Sequence, residues 1–154
     1  MHIFEKNIKE LDITIPNVIP PIANYVPSKI VNNTLFISGQ TPMKDGKVSY
    51  LGKVGVDIDE EQGVKAAELC AINIIAALKY SIQNNWDKLD TFVKIGGFVN
   101  CNVDFTNHPK IINGASDLLV KIFGDQGRHA RFAVGSNSLP LNAAVEIDAI
   151  IRLR

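Results

Sequence analysis

Gly127-Arg128-His129-Ala130-Arg131-Phe132-Ala133-Val134-Gly135 and Ala143-Ala144-Val145-Glu146-Ile147-Asp148-Ala149-Ile150-Ile151-Arg152 are the two segments whose reading decides the fold. Side chains alternate across a strand, so each segment sorts into two faces. In the second, Val145, Ile147, Ala149 and Ile151 share one face, and Glu146, Asp148 and Arg152 the other. In the first, Ala130, Phe132 and Val134 lie opposite Arg131 and Ala133. The link Asn137-Ser138-Leu139-Pro140-Leu141-Asn142 is rich in turn residues and short enough to predict a hairpin. A one-residue slip would expose one strand's apolar set, so this pairing predicts that Arg131 and Glu146 emerge on the same side of the sheet.

Working back from that pair, Phe92-Val93-Lys94-Ile95-Gly96-Gly97-Phe98-Val99-Asn100-Cys101 reads as a central strand. If Val93, Ile95 and Val99 face inward, Lys94, Gly96 and Phe98 face away. Pro109 to Phe123 follows as a helix burying Ile112, Ala115, Leu118, Leu119, Ile122 and Phe123, with Gly124 placed to stop it. A longer helix begins after Asp57-Ile58-Asp59-Glu60, which reads as a capping box, and fades near Asn84-Asn85. Its apolar face is Val64, Ala67, Leu69, Ala71, Ile74, Ile75 and Leu78. Ser28 to Val31 and Thr34 to Gly39 flank Asn32-Asn33 as a hairpin, and a short strand is expected near Val48-Ser49-Tyr50. Ile3 to Leu11 predicts a short amphipathic helix, whereas Pro16, Pro20, Pro21 and Pro27 keep Asp12 to Pro27 extended.

The order strand, strand, helix, strand, helix, strand, strand predicts an α+β fold with two helices on one face of a mixed sheet. Such helices leave the other face to solvent or to another subunit. With 154 residues the chain is read as a single domain, residues 1–154, carrying an N-terminal extension over about 1–20. Sixteen basic and sixteen acidic residues cancel, so no global field favours nucleic acid or an anionic membrane. No long apolar run follows the charges of Met1 to Asn7, and a cytoplasmic location without a membrane partner is expected. Cys70 and Cys101 lack a metal-ligand spacing and read as buried, reduced thiols; with His2 and His108 isolated, no metal is expected. Gly52-Lys53-Val54-Gly55 reads as a turn, because it lacks the length and the Lys-Ser/Thr pair of a phosphate loop.

Tyr25 followed thirteen residues later by Ser38-Gly39-Gln40, Phe92-Val93-Lys94 running towards Asp104-Phe105, Ala130-Arg131, and Val145-Glu146-Ile147-Asp148-Ala149-Ile150 together resemble the RidA/YjgF family of imine deaminases, also labelled endoribonuclease L-PSP. The resemblance spans most of the chain and rests on the motifs in order. The loop Lys44 to Val56 and the run Gly127 to Arg131 resemble a divergent branch. It implies a chorismate-mutase-like α+β fold, a homotrimer with clefts between subunits, and no cofactor. In such a cleft Arg131 would hold a substrate carboxylate, to which a planar, permanently charged guanidinium is suited. Gly39 would add a backbone donor, Glu146 would orient or deprotonate water, and Tyr25 would close the pocket or donate a hydrogen bond.

The expected activity is hydrolysis of 2-imino or enamine acids with release of ammonia. The alternatives are a non-catalytic trimer that binds small carboxylate metabolites, and a ribonuclease acting on single-stranded RNA. Balanced charge and the lack of a basic, aromatic surface speak against nucleic acid as a partner. From the residues alone, Arg131 and Glu146 could equally form an ion pair, Tyr25 could pack on the proline-rich arm, and His129 reads as a surface or interface histidine. The sequence departs from the family pattern where Ala133 replaces a cysteine, Val103 an asparagine and Asn24 a proline. Those departures remove a reactive thiol and an amide from the implied pocket.

Overall fold

The computed structural model describes residues 1–18 and 23–154. The expected extended connection from Asp12 to Pro27 has no helix or strand over 12–18 and 23–26, while Pro20 and Pro21 lie outside the described residues. In chain order the elements are α1 (Ile3–Glu10), β1 (Ser28–Val31), β2 (Thr34–Gln40), β3 (Met43–Lys44), β4 (Lys47–Val48), α2 (Glu60–Ser81), β5 (Leu89–Asn100), α3 (His108–Phe123), β6 (Ala130–Ser136) and β7 (Val145–Leu153). The main sheet has the order β1-β2-β7-β5-β6, while β3 and β4 form a separate small ribbon. Within the main sheet of the described residues β5–β6 is parallel, and β1–β2, β2–β7 and β5–β7 are antiparallel. This is the mixed α+β, chorismate-mutase-like architecture.

Hydrophobic periodicity set most of these elements. Along β7, Val145, Ile147, Ala149, Ile151 and Leu153 are buried, alternating with Glu146, Asp148, Ile150 and Arg152. Along α3, all six residues expected on the inner side are buried, and Gly124 ends the helix with a φ of 60°. In α2, Ala67, Ala71, Ile74, Ile75 and Leu78 are buried, whereas Val64 and Leu69 are half-buried. Gly63 and Gly114 allow close packing of α2 and α3, since a side chain at Gly114 would collide with the Val64 carbonyl. Phe4 and Ile8 of α1 join the core, where Phe4 meets Phe123 edge-on at 4.9 Å and Trp86 at 6.0 Å.

The expected hairpin between Gly127–Gly135 and Ala143–Arg152 does not form. β5 lies between β6 and β7, pairing Ile95 with both Arg131 and Ala149. A strand, a helix and a following strand close naturally as a parallel unit, so α3 carries the chain from β5 to β6. The turn-rich link then crosses the end of β5, with a 3-10 turn at Pro140–Asn142, instead of folding β6 back on β7. The faces of β6 are also reversed from expectation. Phe132 sits over Gly96 on the helix-free face, with its ring 5.3 Å from that of Phe98. Arg131 and Ala133 therefore point to the α3 side. An edge strand permits this arrangement because a long polar side chain can reach the rim of the helix layer.

Two smaller departures have local causes. The capping box belongs to Asp59 and Gln62: Gln62 N donates to Asp59 Oδ1 at 2.8 Å, and Asp59 N donates to Gln62 Oε1 at 3.0 Å. Asp57 instead accepts from Lys53 N at 2.8 Å, closing the turn that begins at Gly52. In β5 an irregularity between Phe92 and Lys94 turns Phe92 inward and Val93 outward. Downstream of it Lys94, Gly96 and Phe98 share the helix-free face, as their alternation predicts. Cys70 and Cys101 are both buried and free.

Candidate functional site

Glu146 lies on the helix-free face of β7, opposite Phe98 of β5. On its other side β2 is irregular between Ile37 and Gln40, and Gly39 falls in that irregularity. The missing side chain matters there: a Cβ on Gly39 would lie 2.6 Å from Glu146 Oε1. Glu146 is half-buried, and burial pushes its carboxyl above the usual carboxylate range, with the neighbouring Asp148 charge adding to the effect. No hydrogen bond or ion pair engages its carboxylate among the described residues. Asp148 is itself engaged, because its Oδ1 accepts from Gly96 N at 3.0 Å.

Tyr25 belongs to a segment tied to the same end of β2. Ser38 Oγ donates to Val26 O at 2.7 Å, and Ser38 N donates to Pro27 O at 3.0 Å. The Tyr25 side chain is largely exposed, at 59%. Gly39 and Glu146 are thus in contact, and Tyr25 precedes a strand-like tether leading to them.

Arg131 is elsewhere. Its register partner Ile95 is fully buried against the helices, and its own guanidinium lies along α3. Nη1 donates to Ser116 Oγ at 3.1 Å, and Nη2 donates to Pro109 O at 3.3 Å. Within the chain Arg131 and Glu146 are therefore on opposite faces and two strands apart, contrary to the prediction that they share a side. No intramolecular ion pair joins them. The surface depressions bordered by Ser28, Ile30 and Tyr80, and by Met1, Glu5 and Ile13, include neither residue.

Two further residues adjoin Arg131. Ser116, inconspicuous among the apolar positions of α3, bonds to Arg131 and to His129 Nε2 at 2.9 Å. His129 is not a free surface histidine; it is half-buried, and its Nδ1 is 2.6 Å from Gly127 O. Only the helical register of Ser116 relative to Ile112 and Leu119 hints at its inward lean. Ala133 lies beside Gly97 on the helix side, and Val103 is fully exposed, so neither replaces the chemistry of the residue it stands in for. Among the described residues no group of three or more His, Cys, Asp and Glu could hold a metal ion. No helix of the described residues is long and apolar enough to cross a membrane.

This architecture has close counterparts. The Agrobacterium tumefaciens protein Atu1372, whose structure is described as having unknown function, superposes with a TM-score of 0.93 at 45% identity, covering 99% of this chain and 93% of that one. A Shewanella oneidensis structure described as a "putative endoribonuclease" gives a TM-score of 0.93 at 32% identity, covering 99% and 100%. Protein TCP17 of Trypanosoma cruzi is 36% identical over 148 residues, covering 96% of this chain and 92% of its own length. The family described as "YjgF/chorismate mutase-like, putative endoribonuclease" matches residues 5–152. With that match spanning nearly every element of the sheet and both long helices, the chain belongs to the RidA/YjgF family.

Proposed function

We propose that the protein hydrolyses reactive 2-imino acids or their enamine tautomers, releasing ammonia, at a site shared between protomers. The observation that carries this reading is the half-buried, unpaired Glu146 carboxylate pressed against Gly39, with its proton affinity raised by burial. Such a group can take a proton from water and return it within one turnover. In the reaction, Glu146 accepts a proton as water oxygen bonds to the C=N carbon. Glu146 returns that proton to the nitrogen, giving a carbinolamine; it then takes the hydroxyl proton and passes it to the amine, and the C–N bond breaks as the C=O bond forms, leaving a 2-oxo acid and ammonia. Arg131 holds the substrate carboxylate through a charge-assisted fork, and Gly39 permits close approach of the substrate to the backbone.

Because Arg131 and Glu146 face opposite sides of their own sheet, a site using both takes each from a different copy. This favours a homotrimer, whose assembly would also cover the apolar Phe36, Phe98 and Val134 exposed on the helix-free face. Arg131→Ala and Glu146→Gln should each abolish ammonia release from imino acids generated in situ by an amino-acid oxidase. Unfolding and refolding the two variants together should restore activity at about one site in four, as random trimer assembly requires. If the mixture stays as inactive as its components, the shared site is wrong; if Arg131→Ala matches the wild type, the deaminase itself is wrong.

A second reading, a trimer that binds small carboxylate metabolites without turnover, draws on Ala133 and Val103. These positions bring neither a thiol nor an amide to the site. Saturable 2-oxo acid binding that requires Arg131, without ammonia release, would select it. Ribonuclease activity has less support, since the chain carries no net charge to concentrate a polyanion.

A further inference from the structure

We propose that Ser116 and His129 are positioning residues that set the direction of the Arg131 guanidinium through a one-way chain of hydrogen bonds ending on the backbone of Gly127. The inference rests on the reading that Arg131 binds the substrate carboxylate.

The sense of the chain follows from donor and acceptor chemistry. A carbonyl oxygen can only accept, so the 2.6 Å contact between Gly127 O and His129 Nδ1 places the imidazole proton on Nδ1. Burial lowers the His129 pKa; the hydrogen bond to Gly127 O raises it and the Arg131 charge lowers it, with a net downward shift that favours the neutral ring and a bare lone pair on Nε2. Ser116 Oγ, 2.9 Å away, must then donate to Nε2. With its single proton committed, Ser116 presents only lone pairs to Arg131 Nη1 at 3.1 Å. Each hydrogen thus has one acceptor, and the chain runs from Arg131 to Ser116 to His129 to Gly127.

The far end is rigid. A side chain at Gly127 would collide with the Leu119 carbonyl, so this backbone sits directly against α3, the helix that carries Ser116. Anchor and relay therefore share one scaffold. At the near end, Nη2 donates to Pro109 O at 3.3 Å, also from α3. A guanidinium has five N–H donors, of which two are used here, leaving enough for a bidentate carboxylate. A fork fixed beforehand loses less freedom when a ligand arrives than one swinging at a sheet edge.

Titration calorimetry with pyruvate as the 2-oxo acid probe, on the full chain, tests the inference. Ser116→Ala should weaken binding about tenfold, and Ser116→Thr, which keeps the hydroxyl, should restore most of it. In the deaminase assay the same loss should appear in KM and leave kcat nearly unchanged. In 15N spectra of the imidazole, wild-type His129 should show the Nδ1–H tautomer, and Ser116→Ala should keep the ring neutral while shifting Nε2. If Arg131→Ala abolishes pyruvate binding and Ser116→Ala leaves it unchanged, the relay is overturned while the carboxylate site stands. If Arg131→Ala leaves binding unchanged, the carboxylate reading itself fails. Equal losses in Ser116→Ala and Ser116→Thr would also overturn the relay, because packing and not the hydroxyl would then be responsible.

Discussion

At the rim of β6, Arg131 is held by Ser116 and Pro109 of α3, whereas on β7 Glu146 stands half-buried beside Gly39 with its carboxylate unengaged. The first group donates two hydrogen bonds to α3 and keeps its remaining N–H groups free among the described residues. The second is less stable charged than it would be in water. A binding group gains from the first condition, since orientation settled in advance adds to affinity. A proton-transfer group gains from the second, because it must give and take a proton near working pH. On the proposed function, the contrast suits the two residues to different tasks.

The harshest attempt to break this contrast is Arg131→Ala. It should lower 2-oxo acid affinity roughly a hundredfold, the cost of leaving a carboxylate without its charged partner, while calorimetric melting changes little because the side chain sits at a rim. A large drop in melting temperature with intact binding would make Arg131 a structural residue. Next, Gly39→Val pushes the unpaired Glu146 carboxylate aside and should lower ammonia release well over tenfold while costing less than about 1 kcal/mol in denaturant unfolding. Unchanged ammonia release would mean that the position of the carboxylate beside Gly39 is not needed.

Glu146→Gln should sharpen the comparison through pH. A carboxyl whose folded pKa is raised contributes stability that is fully present below the unfolded pKa and lost as pH rises through the folded one. The wild type therefore carries a penalty at neutral pH that the amide lacks. The variant should melt higher than the wild type at pH 7, with the gap closing as pH falls below the ordinary carboxylate range. A constant gap across pH would assign the effect to packing. The smallest effect belongs to Asp148→Asn, which keeps an acceptor for Gly96 N and removes one charge. Carboxyl 13C titration should then find the Glu146 pKa lowered towards its ordinary value, but still raised, because burial is the larger cause.

The distribution of what the sequence revealed has a physical logic. Alternation along Val145–Leu153 and periodicity along Ile112–Phe123 reported burial directly, because each element packs one side against the core. The same alternation misplaced Arg131, since an edge strand need not turn its aromatic residue inward when Gly96 leaves room for Phe132 on the opposite face. Strand pairing failed for a related reason. A turn-rich link measures distance between ends and carries no information about a third strand lying between them. Family resemblance points to Gly39 and Glu146 separately, and the irregularity in β2 that brings them together has no sequence signal. Ser116 was hidden because a serine in a helix looks alike whether it faces water or a guanidinium.

The position of β7 bears on how the chain is made. It joins the β1–β2 hairpin to the parallel β5–β6 pair, so the two halves of the sheet have no direct partnership without it. The Leu153 N–H closes on Asn33 O across most of the chain's length. During synthesis, β1, β2, α2, β5, α3 and β6 all emerge before the strand that unites them. Their edges stay unpaired in the interval, where they are open to wrong pairing. A nascent chain stalled just before Val145 would hold every element of the α2–α3 layer and still lack a continuous sheet.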